Sequence, residues 1–335
     1  MSWPVPCEQS PVGERAGGGQ NDNPLLQAIL RHMARGRDLR EFLGLATERP
    51  GPPAHAILAE EAGAGYRRQL IRFAGADGDP VPAQLLVPDG PGPRAAVVIH
   101  HQHNGERHLG KSEVVGLAGD PLQAFGPALA QRGLVVLAPD SICFEDRRAG
   151  RSGILPDDGD WAQHYQEMTR RLVQGTTLMA KVLDDAACAV SLLAQHAAVD
   201  PARIGVLGHS YGGNTALFQS AVDERLAFGV ASGALASYRR KAADGTGLEM
   251  ALAMPGFLRR FEMVDVLRAI APRPFLVVSA TDDKYSVDAD EVCAAAAPAW
   301  REAGAEAKLE HLRFAGGHAL TQERLDAIIA WVAGR

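Results

Sequence analysis

Residues 203–213 read Arg-Ile-Gly-Val-Leu-Gly-His-Ser-Tyr-Gly-Gly and lead into Asn214-Thr215-Ala216-Leu217-Phe218. The first part is a short apolar run suited to a buried strand, and the last part continues as a helix. Between them lies Gly208-His209-Ser210-Tyr211-Gly212. A Gly-x-Ser-x-Gly at a strand-to-helix junction lifts its serine onto a sharp, strained turn, and the flanking glycines remove side chains that would collide with the neighbouring strand and helix. The pentapeptide alone carries little, because glycine and serine are common in turns; its position between strand and helix gives it meaning. Ser210 is therefore the candidate nucleophile.

Working outward, short continuous apolar runs recur at residues 95–99, 134–138, 204–207, 227–231, 275–278 and 309–314. Separated by helical stretches, they are what a mostly parallel sheet covered on both faces requires, so the fold class is α/β. The clearest intervening helix is 176–196, where Leu178, Val182, Leu183, Ala186, Val190 and Leu193 form one apolar stripe. Upstream, residues 69–73 and 81–87 alternate like strands around the turn-forming Gly75-Ala76-Asp77-Gly78-Asp79-Pro80, predicting an antiparallel hairpin. Residues 1–23, rich in Pro, Gly, Asn and Gln, are expected to be a flexible tail. Residues 24–65 are expected to be a helical extension, with Leu25, Leu26, Ile29, Leu30 and Met33 at helical spacing. The main domain is placed at 66–335. Two long connections, about 141–175 and 234–272, are expected to lie over the carboxyl edge of the sheet as a lid.

A serine hydroxyl needs a base to take its proton. His318, in the loop after the last expected strand, supplies one. The base in turn needs an acid, and Asp282 and Asp283 both follow the strand at 275–278. Asp282 is preferred, with Asp283 as the alternative, because an acid a few residues past a strand end points back over the sheet. The developing oxyanion needs two amides: that of Tyr211, and one from the loop His100-His101-Gln102-His103-Asn104-Gly105, where Gln102 is the first choice. The same loop, with Glu106 and His108, is the strongest rival signal, for a metal, but adjacent extended histidines point in opposite directions and do not readily share an ion. No metal or cofactor is expected. His101, His209, Trp161 and Phe257 are candidate substrate contacts, with Tyr165 and Met254 as further pocket or lid residues. Arg147, Arg148, Arg151, Arg239, Arg240 and Lys241, in the two long connections, are candidates for attracting an acidic substrate, although the simpler reading of each is solvated surface.

Composition bounds the rest. The chain has 335 residues, 46% hydrophobic, enough for one large core. A net charge of -6 without a long basic run argues against nucleic acid as a partner. Cys7, Cys143, Cys188 and Cys293 form no Cys-x-x-Cys pair, which fits a reducing cytoplasm. No membrane span is expected. The expected partner is a small-molecule ester, and the apolar content of 250–261 would suit a homodimer contact.

On these residues the chain resembles the dienelactone hydrolase and acetyl xylan esterase branch of the α/β-hydrolase superfamily, and is similar also to prolyl oligopeptidase catalytic domains, over about 66–333. The resemblance rests on Leu85-Leu86-Val87-Pro88, the His100 loop, Asp200-Pro201-Ala202-Arg203-Ile204-Gly205, Gly208 to Gly213, Asp282 and Gly317-His318. It implies the α/β-hydrolase fold, with Ser210, Asp282 and His318 as the triad and Gln102 as an oxyanion donor. Dienelactone hydrolases themselves carry cysteine where this chain has Ser210, and a glycine where it has His101. The activity expected is carboxylic ester hydrolysis through an acyl-enzyme. A serine peptidase or amidase of the oligopeptidase type and a catalytically silent binding protein are the alternatives.

Overall fold

The computed structural model describes residues 23–335 except positions 47 and 49; the expected tail and Cys7 lie outside the described residues. Nine strands form one mixed sheet: β1 His55–Ala62, β2 Tyr66–Ala74, β3 Pro80–Pro88, β4 Arg94–His100, β5 Val135–Pro139, β6 Val199–His209, β7 Phe228–Ser232, β8 Phe275–Ala280 and β9 Leu309–Phe314. Their spatial order is β1-β2-β3-β5-β4-β6-β7-β8-β9. The first three strands and the β3–β5 pair are antiparallel, and the pairs from β5 through β9 are parallel.

Strand β4 shows why continuous apolar runs mark the parallel half. Its Val97 and Ile99 pack into a core that includes Leu129, Ile328 and Ile329, whereas Ala96 and Val98 pack into another with Val190 and Leu193. Successive side chains point to opposite faces, and both faces are covered, so neither alternates with polar residues. The helix Leu178–Gln195, capped by the Thr177 side chain on the Ala180 amide, contributes to that second core.

One boundary of the sequence reading is corrected. Residues 55–62, assigned to a helical extension, form the edge strand β1, and all eight are exposed. An edge strand that buries neither face leaves no apolar alternation to read; it is held by its ladder with β2. The helical part of the extension is Pro24–Leu43, started by the Asn23 carboxamide and stopped at Gly44. It turns Ala28, Leu39 and Leu43 inward, while Leu25, Leu30 and Met33 of the expected stripe are exposed.

The two long connections are mostly folded. The first carries the helix Asp160–Val173, and the second the helices Tyr238–Ala243 and Met263–Arg268. Leu252, Met254 and Phe257 pack into the core, so the apolar content of 250–261 turns largely inward. Cys143, Cys188 and Cys293 are buried free thiols. Among the described residues, no helix is long and apolar enough to cross a membrane.

Candidate active site

The sheet brings the carboxyl ends of β4 and β6 side by side, with His100 opposite Gly208. Because strand order reverses at β4, the loops after β4 and β6 diverge and leave a crevice, the usual ligand site of open α/β sheets. Ser210 sits at that crevice between β6 and the helix Tyr211–Val222, with φ 58° and ψ −116°. This is a strained conformation for a residue with a side chain. Both elbow glycines are sterically required. A Cβ at Gly208 would lie 2.1 Å from the Gly212 carbonyl, and one at Gly212 would lie 2.1 Å from the His100 oxygen.

The Ser210 hydroxyl donates to His318 Nε2 at 2.8 Å. The opposite ring nitrogen, Nδ1, donates to Asp283 Oδ1 at 3.0 Å. Asp283, the alternative, therefore holds the histidine, and the preference for Asp282 is corrected. The Thr281 amide donates to Phe314 and the Asp282 amide to Gly316. That continuation of the β8–β9 contact leaves the Asp282 side chain exposed and turns Asp283 inward, to 1% exposure. Asp283 also accepts from the Tyr285 amide at 2.9 Å and the Ser286 hydroxyl at 2.7 Å. Burial works to raise its carboxyl, but the His318 ring and these donors outweigh it and hold the group below its ordinary value. An ionised acid behind the histidine is what fixes the tautomer that leaves Nε2 free to accept the serine proton.

Tyr211 is the first residue of its helix, so its amide belongs to the first turn, whose N–H groups lack intrahelical acceptors. The Gln102 side chain is buried and donates to Glu113 Oε1 at 3.1 Å; it takes no part in lining the cleft, whereas the next residue, His103, does. His101, expected to touch substrate, is 1% exposed. Its Nε2 accepts from the Ser141 amide at 3.1 Å, so its Nδ1–H donates to the Gln102 carbonyl at 2.7 Å. The ring thus pins the β4 loop to the loop after β5. His100 is bound to Gln219 at 2.7 Å, on a different side, so His100 and His101 do not converge on one ion.

The other expected contacts divide. Trp161 is 56% exposed, stacks on Tyr165 at 5.4 Å and 7°, and lines the cleft. His209 is buried on the Ser232 hydroxyl at 3.0 Å, and Phe257 is buried against Tyr238 at 4.7 Å; neither lines the cleft. The cleft itself has a volume of about 650 Å³ and brings Ser210, Tyr211 and His318 together with Asn214, Tyr285, Arg107 and Glu249. The last four were not singled out in the sequence, where nothing marks a lone Tyr, Arg or Glu in a connection, or an Asn in the helix after the elbow, as facing a nucleophile. The five candidate arginines of the two connections are ion-paired: Arg147 with Asp185 at 2.8 Å, Arg148 with Asp160 at 2.6 Å, Arg151 with Asp157 at 2.9 Å, Arg239 with Glu262 at 3.7 Å and Arg240 with Asp244 at 2.6 Å.

A strained serine after the strand beside the reversal point, with its acid after β8 and its histidine after β9, decides the architecture. This is the α/β-hydrolase fold. Residues 81–232 match the dienelactone hydrolase family. The chain is 28% identical over 201 residues to YtaP of Bacillus subtilis (strain 168), a protein assigned as a hydrolase; the match covers 58% of this chain and 62% of YtaP, less than two thirds of that relative. Among solved structures, one from Bacteroides fragilis NCTC 9343 assigned as an acetyl xylan esterase superposes with a TM-score of 0.71 at 16% identity, covering 88% of this chain and 77% of that one. A glucuronoyl esterase from Solibacter usitatus superposes with a TM-score of 0.62 at 16% identity, covering 91% of each chain. At these identities the structural likeness is one of fold.

Proposed function

We propose that the chain is a serine hydrolase that cleaves carboxylic esters through an acyl-enzyme on Ser210. The observation that carries this reading is the continuous relay from Ser210 Oγ to His318 Nε2 at 2.8 Å and from His318 Nδ1 to Asp283 Oδ1 at 3.0 Å, opening on the cleft. Ser210 attacks the ester carbonyl carbon while His318 takes its proton. The amide of Tyr211 and one from the β4 loop, held in place by His101, receive the oxyanion. The tetrahedral adduct collapses as the imidazolium protonates the departing alcohol. His318 then takes a proton from water, whose oxygen attacks the acyl carbon, and Ser210 leaves with that proton as the acid departs. Asp283 stays ionised throughout and stabilises the imidazolium. The family match over residues 81–232 and the assignment of YtaP as a hydrolase support the reading. An intact relay disfavours a silent binding protein.

The test is pre-steady-state hydrolysis of p-nitrophenyl acetate with and without a chelator. The wild type is expected to give a burst that the chelator leaves intact, and Ser210→Ala and His318→Ala to abolish turnover. Turnover that survives Ser210→Ala refutes the proposal.

A further inference from the structure

Of His100, His101 and His103, the last alone lines the cleft, beside Ser210, Tyr211 and His318. It starts a tight turn. Asn104 and Gly105 both have positive φ, 36° and 78°, and the Glu106 amide donates to the His103 carbonyl. Within that turn the Gly105 amide donates to His103 Nδ1 at 2.9 Å. An amide can only donate, so Nδ1 holds a lone pair and the proton of the neutral imidazole sits on Nε2. That Nε2–H has no hydrogen-bond partner among the described residues.

The ring is held from several sides. It lies against Phe144 at 6.4 Å and 29°, and against Tyr211 at 5.9 Å. Arg107, 5% exposed, braces the turn: its Nη1 donates to the Gly105 carbonyl at 3.3 Å and its Nε to His164 Nδ1 at 3.0 Å. Burial, with the Arg107 charge next, brings the His103 imidazole down to about 4, and the same two causes bring His164 down to about 3. Both rings are therefore neutral at neutral pH.

Acyl transfer puts a negative charge on the carbonyl oxygen and a positive one on His318. A second cation at position 103 would repel the His318 imidazolium, whose charge reaches this ring. A neutral N–H does not, and it still polarises a carbonyl. The loop that carries the ring is also the one that supplies a main-chain donor to the oxyanion.

We infer that His103 is a third donor of the oxyanion site, giving a hydrogen bond from Nε2–H to the ester carbonyl oxygen as it becomes an alkoxide. The inference rests on the serine hydrolase reading and adds a catalytic residue to it. The turn and the aromatic contacts fix the ring before substrate arrives, so little reorganisation is needed at the moment of reaction.

Three variants take the two hydrogen-bonding roles of the ring apart. His103→Asn places a carbonyl oxygen where Nδ1 was, so it keeps the Gly105 bond as an Asx turn and loses the Nε2 donor. His103→Gln places an amide N–H near the position of Nε2 and loses the turn acceptor. His103→Phe keeps the ring shape and loses both. With p-nitrophenyl acetate, kcat is expected to fall on the order of 100-fold in His103→Asn and His103→Phe, as for loss of one oxyanion donor, with KM within a few-fold. His103→Gln should keep kcat within about 10-fold of the wild type, since a hydrogen bond survives in altered geometry. Trifluoroacetophenone adds to a nucleophilic serine and has no leaving group to protonate, so it isolates the oxyanion. Its Ki should rise in His103→Asn by the factor that kcat/KM falls. Urea unfolding of each variant separates loss of the fold from loss of the rate. Wild-type kcat in a folded His103→Asn or His103→Phe overturns the inference. So does a fall in His103→Gln as large as in His103→Asn, or a ketone Ki that His103→Asn leaves unchanged. Turnover that survives Ser210→Ala overturns the serine hydrolase reading and this inference with it, an outcome that the His103 variants alone do not give.

Discussion

Two buried cations lie close together in the chain, Lys111 and Arg107, and they meet opposite surroundings. Lys111, 2% exposed, is enclosed by acids: its ammonium donates to Asp140 at 2.9 Å, to Asp146 at 2.6 Å and to Glu145. Glu145 also accepts from the Ser112 amide and hydroxyl, and Asp140 from the Lys111 amide. Burial works against the ammonium, and Asp140 and Glu145 outweigh it, so its pKa rises. Asp140, Glu145 and Asp146 lie near enough to one another to resemble a metal site, but Lys111 already occupies the space between them. Arg107, equally buried, has neutral partners and an open edge on the cleft. Charges whose bonds are complete hold the loops after β4 and β5 together; the charge left open lies on the wall of the cleft.

If that division is right, changes in the cleft should strike the rate and changes in the cage should strike the fold. The largest expected effect is on rate. Asp283→Asn should lower kcat on the order of 10⁴-fold, because the amide no longer holds the histidine in the productive tautomer. Asp282→Asn, exposed and away from the ring, should stay within a few-fold of the wild type. Steady-state kinetics on one ester decide between them, and equal losses would break the assignment.

Next comes the cage. Lys111→Met strands buried Asp140 and Glu145 and should cost about 3–5 kcal/mol of stability, read from urea unfolding. A loss below about 1 kcal/mol, in the range of an exposed ion pair, would mean the cage is not the clamp described.

Acid should weaken the fold through the buried histidines. Burial lowers His100 and His101 to about 4 and His209 to about 3, from an ordinary value of 6.5. The folded state therefore binds fewer protons than the unfolded one, so this stability is complete above pH 6.5 and is lost as pH falls from there toward 4. The slope is on the order of 1.4 kcal/mol per pH unit for each such histidine. Urea midpoints at pH 7, 6 and 5 should fall in that order; a flat series would contradict it.

The smallest effect expected is from Tyr211→Phe. It removes the hydroxyl that meets Ser141 Oγ at 2.6 Å and leaves the backbone amide in place. A stability loss of about 1 kcal/mol with kcat within a few-fold is expected. A large fall in kcat would show that the side chain, and not only the amide, serves the reaction.

Legibility in the sequence followed what each residue is tied to. Ser210 and His318 could be read because their chemistry is bound to local pattern, a glycine-flanked turn after a strand and a loop after the last one. Asp283 could not be separated from Asp282, since their difference lies in amide bonds to residues 314 and 316, over thirty positions away. Strand β1 left no trace because it buries neither face. Phe257 was read as apolar, which it is, but helical spacing does not say whether a side chain turns to the cleft or to Tyr238 and the core. His101, within the β4 loop, and His209, beside the nucleophile, were candidate substrate contacts, and each is instead spent on an internal hydrogen bond. Arg107 was hidden by the ordinary fate of arginine in a loop, which is solvent.

The central claim is that Ser210 is the activated nucleophile. The most direct measurement is labelling with a fluorophosphonate, followed by intact mass and peptide mapping, in the wild type, Ser210→Ala and His318→Ala. The account predicts one adduct per chain on the peptide containing Ser210, none in Ser210→Ala, and severely slowed labelling in His318→Ala. A label on another residue, or unlabelled protein that still hydrolyses esters, would contradict it.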